Sequence, residues 1–280
     1  MENSDIGNRM KRYESVSKLQ LMNRTPVIIR IDGKAFHTFT RGMVKPFDDV
    51  LIGAMQDTMK YLCENIQGCV FGYTQSDEIS LLLIDYQKLD SSSWFDNEVQ
   101  KLCSVSASMA TCAFNVAFLK RAAAWSNSHP EPFEKAPDIE SGDDEAYEQY
   151  RTYVHKINRA MFDSRCFNIP KEEVTNYFLW RQMDATRNSI NAMGFAHLGS
   201  RKMQNKSCAE VKEMLLNEKN IDWLAMEGKY KWGSCCVKSK ANDEARRTDD
   251  EAGWVIDNDI PRFLKEGREY IDRYVFVGEQ

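Results

Sequence analysis

The sequence lacks several features that would place it in a familiar class. Its eight cysteines, at 63, 69, 103, 112, 166, 208, 235 and 236, form no Cys-x-x-Cys pair and match no zinc module. Scattered reduced thiols are expected, not a disulfide framework or a metal knuckle. Histidine is scarce, and His129, His155 and His197 give no metal pattern. The longest aliphatic run, Ile79–Ile84, is broken by Ser80 and is too short to span a bilayer, so no membrane partner is expected. The polar, acidic opening Met-Glu-Asn-Ser-Asp is not an export signal, which makes a cytoplasmic location the expectation. No internal repeat is present. There is also no basic excess: 37 Lys+Arg against 42 Asp+Glu give −5. That argues against a generally basic nucleic-acid binder but leaves room for a local basic groove.

What is present suits a folded protein. A chain of 280 residues that is 42% hydrophobic and 28% charged is large enough to bury a core. The acidity is local. Residues 131–150 hold eight acidic side chains against Lys135 alone, a net −7 that leaves +2 for the rest of the chain. With Pro130, Pro132 and Pro137 in or beside it, this stretch reads as an acidic surface insertion spanning about 127–150.

Val27–Ile31 is a β-branched run that predicts a strand ending at the turn signal Asp32-Gly33. Asp48 reads as the N-cap of a helix that Gly68 stops. Cys69–Tyr73 and Glu78–Ile84 predict a hairpin around Thr74–Asp77. A helical pattern follows over about 97–124, a strand over 165–168, and a helix over about 171–193. Ser207 and Glu210 have capping-box spacing, Trp232–Val237 suggests a further short strand, and 241–280 is charged and weakly patterned. The order strand, helix, strand, strand, helix, strand is the ferredoxin-like split βαβ arrangement, an α+β sandwich with an antiparallel sheet. Residues 1–170 are expected to hold this sandwich and 171–280 a mainly helical extension.

In such a sheet Asp32 converges with Asp77 if the first and second strands are neighbours. Two acids held close repel unless a cation lies between them. Oxygen-only ligands favour magnesium, which completes its shell with water and substrate phosphates, and two such ions about 4 Å apart serve phosphoryl transfer. That is the logic of a polymerase palm. The pattern alone leaves plainer readings open: Asp-Gly is a common turn, Ser-Asp-Glu an ordinary hairpin tip, Asp48 a simple cap and Lys45 a solvated lysine.

Longer strings narrow the choice. Arg30-Ile31-Asp32-Gly33-Lys34-Ala35-Phe36-His37, Lys45-Pro46-Phe47-Asp48, Gly72 through Ser80, and Trp180-Arg181-Gln182-Met183-Asp184 resemble the tRNA(His) guanylyltransferase family. Gly7 through Glu14 resembles its usual opening, with Asn8 where an Asp is common. The resemblance runs from about residue 5 to about 240. It implies a palm that adds nucleotides to a tRNA 5′ end in the 3′–5′ direction. It implies two Mg2+ ions on Asp32, the Gly33 carbonyl and Asp77, and a catalytic group of Asp32, Asp77 and Glu78, the last as an orienting acid. The nucleotide-binding residues it implies are Asp32, Gly33, Lys34, Ala35, Phe36, His37, Ser76 and Asp77, with Lys45 and Asp48 in the activation step. ATP or GTP would activate a 5′-monophosphate, GTP would be added, and the family tends to form homotetramers. Where eukaryotic members carry His-Ile-Asn-Asn-Leu-Tyr-Asn, this chain reads Thr186-Arg187-Asn188-Ser189-Ile190-Asn191-Ala192. That departure is similar to the guanylyltransferase-like branch, whose members repair tRNA 5′ ends by templated addition.

RNA requires a cationic surface. Arg181, Arg187, Arg201, Lys202 and Lys206 are the candidates, His37 is a candidate to stack on a base, and Trp180 is expected in the core. Two other readings of the same fold are a nucleotide cyclase, whose hairpin often reads Gly-Gly-Asp-Glu where this one reads Gln-Ser-Asp-Glu, and a non-catalytic RNA-binding module. Intact Asp32 and Asp77 argue against the latter.

Overall fold

The structure is a computed structural model that describes residues 3–129, 145–239 and 253–277. The principal elements are α1 (Asn3–Ser15), β1 (Val27–Gly33), α2 (Asp49–Asn65), β2 (Cys69–Gln75), β3 (Glu78–Leu83), α3 (Val99–Ser128), α4 (Glu145–Lys156), β4 (Phe162–Asn168), α5 (Lys171–Leu198), α6 (Cys208–Lys219), β5 (Ser234–Lys238), β6 (Trp254–Asp257) and α7 (Glu269–Val275). Six strands form one antiparallel sheet in the order β4-β1-β3-β2-β5-β6. The first four reproduce the ferredoxin-like order.

The neighbour relation differs from the sequence expectation. β1 pairs with β3 and β4, not with β2. The α2 crossover makes β1 and β2 parallel, and the returning hairpin arm β3 fits between them.

Both faces of the sheet are covered, which is why β1 and β3 read as nearly continuous apolar runs. Val27, Ile29 and Ile31 meet the layer of α2 and α3, with Met55, Met59, Leu102, Phe114 and Phe118. Ile28, Tyr73 and Leu82 meet the other layer, with Val174, Tyr177 and Phe178 of α5 and Ile271 and Val275 of α7. A third apolar cluster joins the distal part of α5 (Ile190, Met193) to Val211 and Leu215 of α6 and to Trp223.

Local signals hold. The Asp48 side chain caps α2 through the Leu51 N–H, and Ser207 and Glu210 close a capping box on α6. Of the acidic insertion, residues 130–144 lie outside the described residues, 127–129 close α3, and 145–150 lie in α4. Residues 253–277, the described part of the weakly patterned segment 241–280, add to the fold: β6 extends the sheet and α7 packs on it. Sheet and core thus run across residue 170 rather than stopping there. α3 is long and apolar enough to cross a membrane by length and composition. Here its Leu102, Ala110, Phe114 and Phe118 stripe is buried against the sheet and α2.

Candidate active site

Asp32 stands at the end of β1 with Glu78 opposite it on β3 and Asp163 opposite it on β4. The Gly33 N–H donates to the Asp77 carbonyl at 3.0 Å, which ties the end of β1 to the hairpin tip. Ser76, in the left-handed region at φ 51°, makes that tip, and its hydroxyl donates to Asp77 Oδ1 at 2.9 Å. Asp32 and Asp77 therefore converge as expected, through β3 rather than through β2.

Glu78 and the Asp32/Asp77 pair are treated differently by their surroundings. Glu78 is buried and receives Arg181 Nη1 at 2.9 Å, with Arg30 Nε at 4.0 Å. Among the described residues, no basic side chain forms an ion pair with Asp32 or Asp77. Burial holds the Asp32 carboxyl above its ordinary value, and Asp77 and Asp163 add to the rise; Arg165 and Arg30 only partly offset it. Burial likewise raises Asp77, against the Ser76 hydrogen bond. Burial raises Glu78 too, with Arg181 and Arg30 pulling the other way. Two acids held together with only partial compensation fit a cation.

Among the described residues, no group of three or more His, Cys, Asp or Glu side chains is placed to hold a metal. The donors on offer are two carboxylates and a nearby carbonyl, that of Gly33. Such a set suits a hard divalent cation that takes further oxygens from water and phosphate, and does not suit zinc.

A cavity of about 350 Å³ opens beside this centre. Gln75 and Ser76 form its wall toward the acids. Lys45, Phe47 and Asp48 line one side, Ala185, Asn188 and Ser189 of α5 another, and Lys229, Tyr230 and Lys231 a third. Phe47 and Tyr230 stack with centroids 5.1 Å apart, and the Tyr230 hydroxyl donates to Asp49 at 2.7 Å. The sequence reading missed Tyr230 and its lysines, although an aromatic between two lysines in Lys229-Tyr230-Lys231 was a visible signal. It also missed Arg30 as a site residue, although Arg30 and Asp32 share a face of β1 by simple alternation.

The loop after β1 divides between ligand and scaffold. Lys34 and His37 are exposed, and His37 Nε2 lies 3.1 Å from the Thr38 hydroxyl. Ala35 is left-handed at φ 55°. Phe36 points inward, 3% exposed, against Phe39, Phe114 and Phe162, so its ring belongs to the core and not to a nucleotide contact. Gly33 has a stricter reason than access for phosphate: a Cβ there would lie 2.3 Å from the Phe36 ring. Lys45 is exposed on the cavity rim. Asp48 is buried and fully engaged: Oδ1 accepts from Leu51, and Oδ2 accepts from the Val44 N–H at 3.0 Å and from the Tyr153 hydroxyl at 2.9 Å. It holds the cavity wall rather than offering a free carboxylate.

The cationic candidates separate. Arg181 is 6% exposed and is spent on Glu78 and on Asp184 at 3.0 Å, which removes it from the RNA contacts expected of it. Arg187 is exposed and pairs with Asp184. Lys202 pairs with Glu218, Lys206 with Glu210 at 2.9 Å, and Arg201 is exposed. Trp180 is 52% exposed and not in the core, because the face of α5 that meets the sheet carries Tyr177, Phe178 and Arg181 instead.

A palm-like antiparallel sheet, two carboxylates without an ion-paired base among the described residues where a strand meets a hairpin tip, and an adjoining cavity define the class of nucleotidyltransferase sites. The family profile described as tRNAHis guanylyltransferase matches residues 7–170, and the chain belongs to that family. A bacterial tRNA(His) guanylyltransferase-like protein solved in complex with ATP is 36% identical, with a TM-score of 0.77 over 98% of this chain and 100% of that one. A bacterial tRNA(His) guanylyltransferase-like protein in complex with GTP gives 36% and 0.69 over 97% and 99%. The Dictyostelium discoideum probable tRNA(His) guanylyltransferase is 24% identical over 85% of this chain and 86% of its own length.

Proposed function

We propose that this protein adds nucleotides in the 3′–5′ direction to the 5′ end of tRNA, using GTP and other templated nucleoside triphosphates, with ATP or GTP activating a 5′-monophosphate. The observation that carries this reading is the Asp32/Asp77 pair, both raised by burial and Asp32 also by the charge of Asp77, with no ion-paired base among the described residues and a cavity of about 350 Å³ beside it. The bacterial neighbours in complex with ATP and with GTP support the nucleotide class.

In activation, an oxygen of the RNA 5′-monophosphate attacks the α-phosphorus of ATP and pyrophosphate leaves. In addition, the 3′-hydroxyl of GTP attacks the 5′-phosphorus of the activated RNA, that hydroxyl's proton is lost, and AMP leaves. An RNA with a 5′-triphosphate needs no activation and releases pyrophosphate. Both steps are in-line displacements in which placement and charge neutralisation supply most of the acceleration. Asp32, the Gly33 carbonyl and Asp77 would hold Mg2+, which neutralises phosphate charge and lowers the pKa of an attacking hydroxyl. Lys45 at the cavity rim is a point charge for a triphosphate. Glu78 keeps its arginine pair and orients the tip. Ser76 fixes the Asp77 carboxylate through its hydrogen bond.

The departure at Thr186–Ala192 favours 5′-end repair over obligate tRNA(His) recognition. The expected assembly is a homotetramer in the cytoplasm, with a light-scattering mass of four chains. The test is incubation with a 5′-truncated tRNA, magnesium, ATP and GTP. Extension at the 5′ end that disappears in both Asp32→Ala and Asp77→Ala is expected; full activity in either variant overturns the assignment.

A further inference from the structure

Trp180 is 52% exposed on a helix whose neighbouring Tyr177 and Phe178 are seated on the sheet. The Arg181 guanidinium lies over its ring, Cζ 3.8 Å from the centroid, and Arg30 Cζ is 5.9 Å from the same centroid. Both arginines also hold Glu78. The indole therefore rests on the scaffold directly behind the acid pair, and Asp32 follows Arg30 two residues along the same face of β1. Met183 and the exposed Arg187 continue the strip along α5.

α5 has two working faces. Ala185, Asn188, Ser189 and Ala192 line the cavity. At 3.6 residues per turn, positions 180, 183 and 187 fall on the opposed side of the helix. One helix thus separates a pocket from an open aromatic and cationic strip, and both adjoin the same carboxylates. A reaction that joins a nucleoside triphosphate to a polynucleotide needs two such places. The pocket has the volume and the Phe47–Tyr230 stack for a single nucleotide. The strip lies on an exposed side of α5, and that suits the end of a long chain. An indole face backed by guanidinium stacks on a base of any sequence, and the exposed Arg187 farther along the strip offers positive charge to phosphate.

We infer that Trp180 is the platform on which the terminal base at the RNA 5′ end stacks, so that the end is presented to Asp32 and Asp77. This rests on the nucleotide-transfer reading above and adds the place of the second reactant.

The test compares full-length wild type, Trp180→Phe and Trp180→Leu. Affinity for an unmodified tRNA transcript is measured by anisotropy, transfer by single-turnover kinetics, and mass by light scattering. Trp180→Leu is expected to weaken tRNA binding roughly tenfold or more. Its KM for GTP and its melting temperature should stay at the wild-type values. Trp180→Phe, which keeps a stacking ring, should retain most of the affinity. Unchanged tRNA affinity in Trp180→Leu overturns the inference, as does an equal rise in the KM for GTP. A changed oligomeric mass also overturns it, because the ring would then be a protein contact. Trp180-dependent tRNA binding by a wild type that transfers no nucleotide supports the platform while sinking the transfer reading.

Discussion

Arg181 and Glu78 form a buried ion pair, 2.9 Å from Nη1 to Oε2, directly behind the hairpin tip that carries Asp77. The pair is not an isolated bridge. Arg181 also reaches Asp184 at 3.0 Å, and Arg30 stands 4.0 Å from the same Glu78 oxygen. Such an arrangement adds little over a well-packed apolar pair, but breaking one side leaves a buried charge alone. Arg181→Met should therefore destabilise the protein by about 3 kcal/mol, the lower part of the usual range because Arg30 remains. Adding Glu78→Gln to it should recover much of that loss. Denaturant titration of the two single variants and the double variant checks this, and simple additivity would contradict it. In transfer assays Arg181→Met should lower kcat more than it raises the KM for GTP, since it acts through the placement of the tip.

Asp32 and Asp77 hold their protons to higher pH in the fold than in the unfolded chain. The folded state then binds more protons between the ordinary carboxylate value and the raised one, so stability falls as pH rises through that window. Asp77→Asn removes one charge of the pair. In chelating buffer it should flatten this fall and melt higher than wild type at neutral pH. Magnesium should raise the melting temperature of wild type at neutral pH and leave the variant nearly unmoved. Calorimetry with EDTA and with magnesium decides, and equal pH slopes in the two proteins would count against an uncompensated pair.

Asp48 gives a sharper distinction between charge and shape. Its Oδ2 accepts two hydrogen bonds, from Val44 and Tyr153, while Oδ1 caps α2. Asp48→Asn keeps the cap but turns one end of the group into a donor facing two donors. Leaving those two groups unmet in a buried site should cost about 2 kcal/mol. Because Asp48 and Val44 line the cavity, the KM for the triphosphate should rise while the KM for tRNA holds. Tyr153→Phe, which removes only one donor, should cost less in both respects.

The sheet was legible because β-branched runs, Asp-Gly, the Gln-Ser-Asp-Glu tip and the caps at Asp48 and Ser207 are local signals. Asp32 and Asp77 were legible as a pair for the same reason: each closes a strand. What escaped was set by packing between distant segments. Nothing near Arg181 in the chain marks it as buried, since Glu78 lies 103 residues away. Trp180 looks like a core residue by type, and only the choice of Tyr177, Phe178 and Arg181 as the inward face turns it out. The strand order around β1 required knowing that β3 inserts between β1 and β2. The contribution of 254–277 to sheet and core comes from short elements whose apolar residues, Ile271 and Val275 among them, are too few for a clear period.

Gly33 and Phe36 offer a test of why the loop after β1 needs glycine. A Cβ at 33 would lie 2.3 Å from Cδ2 and 2.6 Å from Cε2 of the Phe36 ring, which is itself wedged among Phe39, Phe114 and Phe162. The ring has no vacant side to turn into, so Gly33→Ala should cost about 1–3 kcal/mol as overpacking. Phe36→Ala should cost about 3–5 kcal/mol as a lost core aromatic. The two should not add, because the second change removes the object of the first clash. A double-mutant cycle by denaturant unfolding is expected to show coupling of about 1 kcal/mol or more, the signature of residues in direct contact. If the costs add instead, the glycine is required by the backbone or by the substrate. Gly33→Ala would then lower nucleotide transfer equally with Phe36 present and absent.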